Sequence, residues 1–133
     1  MKKEDEIELL KTALKKLKKI HKQRYKKELI EDISWIFNIL VKQKHRIKHE
    51  FTKEELIEII SKKHIDEWEK TIILKLNEEL HYLKYEVKNP NKKKVKDFLV
   101  SLIDFVKNKL IEVKKNEENQ IKQKHGILSF KNK

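Results

Sequence analysis

Apolar residues recur at three- and four-residue steps along most of this chain, and that spacing divides it into helices. The most apolar of these runs through Ile33, Ile36, Phe37, Leu40 and Val41, with Leu29 and Ile30 extending the stripe backwards. Trp35 and Ile39 widen the stripe until only Glu31, Asp32, Ser34 and Asn38 keep a polar edge. A helix that apolar around its circumference needs neighbours on several sides. Residues 29–42 are therefore expected to be the central helix, packed by residues 4–23, 66–84 and 91–114.

The neighbours follow in order. Ile7, Leu10, Leu14, Leu17 and Ile20 predict an amphipathic helix over residues 4–23, with Leu9 and Ala13 beside its stripe. No Pro or Gly separates it from the central helix, so the two either run together or bend near Gln23. Phe51-Thr52-Lys53-Glu54-Glu55-Leu56 reads as a capping box, with Thr52 as N-cap, Glu55 as its return partner, and Phe51 and Leu56 as a hydrophobic staple. A short helix follows, burying Leu56, Ile59 and Ile60 and ending near Lys62-Lys63-His64. Asp66 reads as the next N-cap, with Glu69 as its return partner. Trp68, Ile72, Leu76, Leu80 and Leu83 then mark an apolar face that fades over residues 85–88. Asn89-Pro90-Asn91 makes a turn and a fresh helix start. Val95, Phe98, Leu99, Leu102, Val106 and Leu110 form the last long stripe, ending near Lys115.

Composition narrows the class. At 133 residues the chain is one domain. One Gly and one Pro leave little material for hairpins. The expected fold is all-α, a single compact domain of about five helices over residues 1–115, with a basic polar tail over 116–133 expected to be disordered. Within that tail, Ile127-Leu128-Ser129-Phe130 is a candidate docking peptide. The absence of Cys excludes disulfides, thiolate metal sites and a thiol nucleophile. Apolar runs fall short of the ~20 residues that span a bilayer, and an acidic start, Glu4-Asp5-Glu6, gives no signal-peptide core. The expected location is cytoplasmic, with a membrane-peripheral position left open.

Charge changes the picture more than composition does. The net charge is +12. Residues 1–49 carry 15 Lys/Arg against 7 acids, residues 50–80 carry 5 against 9, and residues 81–133 carry 14 against 6. Polyanion binding belongs to the flanks. Its candidate residues are Lys15, Lys16, Lys18, Lys19, Lys22, Arg24, Lys26 and Lys27, an acid-free run with Tyr25 available for stacking or packing. The alternatives are a solvated helix face or adhesion to anionic lipid. Residues 52–85 have the outline of a helix-turn-helix, but a second helix presenting Glu67, Glu69, Glu78 and Glu79 would repel phosphates. His45 and His49 are four apart, but they lack a third ligand at any recommending spacing and read as solvated basic surface. No Gly-rich phosphate loop, nucleophile elbow or H-E-x-x-H is present. Neither catalysis, a metal, a cofactor nor a small-molecule substrate is expected.

The order of these features resembles a soluble domain at the C-termini of BatD-type and transglutaminase-linked membrane proteins, which are associated with MoxR-type AAA+ ATPases and von Willebrand A proteins. Paired leucines (Leu9-Leu10, Leu14, Leu17) lead to Tyr25 and the apolar helix Ile33 to Val41. An FT-x-EEL element follows (Phe51 to Leu56), then Leu80, Leu83 and Tyr85, and a closing amphipathic helix from Val95 to Leu110. The transmembrane segment that normally precedes such a domain is missing from this sequence. The Arg and Gly residues common around its second helix are missing too. The resemblance implies a non-catalytic module beside a membrane, with protein partners and the Lys-rich helix facing anionic headgroups. The leading expectation is thus a non-enzymatic interaction domain binding protein partners at an anionic membrane surface. The alternative is a nucleic-acid-binding protein using the Lys-rich first helix and the basic C-terminal segment.

Overall fold

The structure, a computed structural model, describes residues 2–85 and 88–116. Its elements are α1 (Lys3–Lys22), α2 (Glu28–Lys44), α3 (Lys53–Ser61), α4 (Glu67–His81), a π-helical turn (Tyr82–Glu86) and α5 (Lys92–Lys131). No strand occurs among the described residues. Beyond Asn116, the expected tail and its docking peptide lie outside the described residues.

Helix ends follow local chemistry. Thr52 caps α3 as expected: its hydroxyl accepts from the Glu55 N–H at 3.1 Å, and the Glu55 carboxylate accepts from the Thr52 N–H at 3.1 Å. Asn91 caps α5 by accepting from the Lys94 N–H at 2.8 Å. The C-terminus of α2 closes without glycine. Arg46 takes φ 55°, and the Ile47 N–H returns to the Lys42 carbonyl at 2.9 Å. This is the left-handed closure that Gly ordinarily supplies, so the residue types gave no warning of it. The chain between α1 and α2 bends at Gln23, whose N–H is satisfied by the Ile20 carbonyl.

One core joins all five helices: Leu10, Leu17 and Ile20 of α1, Ile33, Phe37 and Leu40 of α2, Leu56 and Ile60 of α3, Ile73 and Leu76 of α4, and Val95, Leu99, Leu102 and Val106 of α5. Burial of each such side chain contributes about 1.5–3 kcal/mol. The expectation that residues 29–42 are the hub needs correction. The most extensive close pairing is α1 along α5, while α2 lies against α1 and the π-helical turn. The stripes of α1 and α5 are long enough to run side by side, whereas a broad apolar circumference secures only burial, not a central place. The two run antiparallel: the end of α1 meets Lys96 near the start of α5, and Glu6 at its start meets the ion cluster that holds Lys109. Among the described residues, no helix is long and apolar enough to cross a membrane.

Candidate functional site

The basic run of the sequence occupies the second half of α1 and the bend after it. On α1, Leu10, Ala13, Leu17 and Ile20 are buried, so at 100° per residue Lys15, Lys18, Lys19 and Lys22 fall on the opposite face. All eight candidates, Lys15, Lys16, Lys18, Lys19, Lys22, Arg24, Lys26 and Lys27, are exposed. Among the described residues none of them has a carboxylate partner. Lys16 alone lies off this face, with its ammonium 5.2 Å from the centre of the Trp35 ring.

Tyr25 is not a stacking platform. It is partly buried and donates its hydroxyl to the Pro90 carbonyl at 2.9 Å. Lys96 donates to the carbonyls of His21 at 2.7 Å and Gln23 at 3.3 Å, closing the end of α1 with a cation where the helix dipole is negative. These bonds draw the bend 23–27 and the turn 88–91 together. Lys88, Lys92 and Lys93, all exposed, thereby join the basic run at one pole of the bundle. Nothing in the residue order signalled that pairing, because it spans the length of the domain.

At the other pole lies a buried ion cluster. Lys44 and Lys109 each approach Oε1 of Glu69 at 2.6 Å, with Glu69 1% exposed. Glu6 stands 3.9 Å from Lys44, and Glu112 stands 3.6 Å from Lys109. Aromatic faces cover the cations, Phe105 over Lys44 and Trp68 over Lys109. Burial lowers the Lys44 ammonium to about 8, against the pull of Glu69. Burial alone would raise the Glu69 carboxyl, but Lys44 and Lys109 overcome it and hold the acid below its ordinary value. For Lys109 the Glu69 hydrogen bond and charge outweigh burial, and its pKa rises.

This cluster corrects three expectations. Glu69 is no return partner for Asp66, which caps α4 by position but makes no side-chain hydrogen bond there. Nor does Glu69 face outward to repel phosphates, since two lysines from other helices hold it inside. His45 is not solvated surface either. It is buried, with Nε2 3.9 Å from Glu69 and, among the described residues, no hydrogen-bond partner for that nitrogen. Burial, followed by the charge of Lys44, lowers its pKa to about 4, so it is neutral at pH 7. His49 does lie at the surface. The common physical reason is that α2 ends in this cluster, so residues that look polar in order become interior in space.

Perturbed acids and bases often mark catalytic sites. Here they line none of the clefts found among the described residues. The cluster ties α1, α2, α4 and α5 at one point. No group of three or more metal-ligating side chains occurs among the described residues.

Four concave surfaces remain among the described residues, one of them, about 220 Å³, formed by Tyr82, Leu83, Lys94, Asp97 and Phe98. The largest, about 500 Å³, lies between α2, the start of α3 and the end of α4, with Ser34, Asn38, Asn77 and Tyr85 in its wall and acids and lysines in balance. A small apolar groove between α1 and α2 is formed by Leu9, Ala13, Trp35 and Ile39, with Lys16 at its edge. The last, about 290 Å³, adjoins the basic pole and has Ile30, Leu83 and Pro90 in its wall with Lys27, Lys84 and Lys88. No protein-family model matches the chain, and no curated protein or solved structure matches it either.

Proposed function

We propose that this chain is a non-enzymatic interaction domain that meets a polyanionic surface with the basic face of α1 and holds a protein partner beside it. One observation carries the reading: all eight cations of residues 15–27 are exposed without a carboxylate partner among the described residues, while the acids Glu69, Glu78 and Glu58 are each taken up in ion pairs. Unneutralised cations gathered on one face concentrate positive potential there. The apolar groove at Trp35 lies beside this face and supplies contact area that salt does not screen. The anionic membrane surface implied by the resemblance and the backbone of nucleic acid both present the phosphates this face would meet.

The test is co-sedimentation with phosphatidylserine-rich vesicles and fluorescence anisotropy with labelled oligonucleotides, at low and physiological salt. The wild type binds at least one of them, more weakly as salt rises. The triple change Lys15→Glu, Lys18→Glu, Lys19→Glu weakens that binding by about 10²-fold, at about 1 kcal/mol per basic residue near a charged surface. A wild type that binds neither at low salt sinks the reading.

A further inference from the structure

Two stretches of this chain are rich in cations and free of acids: residues 9–27 and residues 88–96. They are far apart in sequence, yet the fold joins them. Tyr25 to Pro90 and Lys96 to His21 and Gln23 bind the second stretch to the end of the first. Lys92 precedes Lys96 by four residues and so lies on the same face of α5, one turn nearer the tip. Lys27 and Lys88 both line the cleft of about 290 Å³.

We infer that this pole is a binding site for single-stranded nucleic acid, with phosphates on the two clamped basic stretches and an unpaired base in the cleft between Lys27 and Lys88. The inference rests on the polyanion reading above and names the polyanion. Three features choose single strands. The cleft has an apolar wall of Ile30, Leu83 and Pro90 beside a charged rim in which three lysines outnumber two acids, and its volume is near the lower end for ligand pockets, about 300 Å³. That combination suits a base edge-on to water with its phosphates outside. The carboxylates of Glu28 and Glu31 also line it, and such groups accept from exocyclic amines, as they do from cytosine. Tyr82, half-exposed, lines a separate cleft that shares Leu83 with this one, and with the Lys94 ammonium 5.3 Å from its ring centre it offers a second stacking face.

A bilayer fits this pole less well. Its exposed side chains, Lys22, Arg24, Lys26, Lys88, Lys92 and Lys93, are all polar. Of the apolar residues around it, Tyr25 donates its hydroxyl to the Pro90 carbonyl, and Ile30, Leu83 and Pro90 are buried in the cleft wall. Among the described residues of the two stretches no exposed side chain is apolar, whereas surface-binding helices need apolar side chains to enter the acyl region.

The experiment is fluorescence anisotropy of the full chain with a labelled single-stranded oligonucleotide, its duplex and an abasic single strand of equal length, across a salt series. Phosphatidylserine-rich vesicles serve as competitor. The single strand should bind most tightly, and the abasic strand at least about fivefold more weakly, the low end of one stacked base. The triple change Lys88→Gln, Lys92→Gln, Lys93→Gln should lower the slope of log affinity against log salt by about 2, at about 0.7 per phosphate contact on single strands. Its helix content by circular dichroism should match the wild type. Equal affinity for abasic and normal strands, or preference for the duplex, overturns the base site. An unchanged salt slope in the triple variant overturns the two-stretch pole. If vesicles bind and oligonucleotides do not, the inference fails and the polyanion reading stands.

Discussion

The ammonium of Lys44 lies 2.6 Å from the carboxylate of Glu69 in a part of the domain from which solvent is nearly excluded. Lys109 reaches the same oxygen at the same distance, so one buried acid neutralises cations from two other helices. Removing the acid alone strips both buried lysines of their 2.6 Å partner and leaves only Glu6 at 3.9 Å from Lys44 and Glu112 at 3.6 Å from Lys109. Glu69→Ala should therefore cost about 3–5 kcal/mol, the usual penalty for breaking a buried pair from one side, read as a lower urea midpoint. Replacing Lys44, Glu69 and Lys109 together with Met or Leu should cost far less, because no charge is then stranded. If the single and triple changes cost the same, the cluster is not a coupled unit.

Acid should weaken the fold through His45. Its pKa is lowered from 6.5 to about 4. The depressed value means that the unfolded chain takes up the proton first. Stability from this residue is complete above pH 6.5 and is lost as pH falls towards 4. The full difference is about 3 kcal/mol at 1.36 kcal/mol per pH unit. Glu69, also held low, loses its contribution in the same direction, at more acid pH. Urea midpoints measured between pH 7 and 4 should fall, and His45→Leu should flatten the decline between pH 6.5 and 4. A decline of equal slope in that variant would assign the effect elsewhere.

Arg46→Gly should stabilise the domain. Arg46 closes α2 at φ 55°, where a side chain with Cβ costs about 1–2 kcal/mol. Its side chain is exposed, so little packing is lost. Part of the gain is offset by the greater freedom of Gly in the unfolded chain. The net expectation is a midpoint shift worth about 0.5–1 kcal/mol. A destabilised variant would show that the guanidinium carries more than the backbone strain.

Two N-caps that look alike in sequence should respond differently. Thr52 makes both bonds of a capping box, so Thr52→Ala should cost about 1 kcal/mol. Asp66 makes no side-chain cap bond. Asp66→Ala should cost only its charge–dipole share, a few tenths of a kcal/mol. Thermal melts of the two variants side by side would check the order.

By itself the sequence determined the helices and most of their core. Apolar periodicity and side-chain capping are local properties, so the stripe from Ile33 to Val41, the box at Thr52 and the turn at Pro90 were legible residue by residue. The exposure of Lys15 to Lys27 was legible too, since a helix that buries Leu10, Leu17 and Ile20 must turn its lysines outward. What only the tertiary structure decided depends on residues far apart in order. It set α1 against α5 where the pattern favoured α2. It drew Glu69 away from a cap and into contact with Lys44 and Lys109, buried His45, and joined Lys22 to Lys27 with Lys88 to Lys93. Charged side chains are the least legible, because a carboxylate is stable in water or between two buried lysines, and only the packing of neighbouring helices selects which.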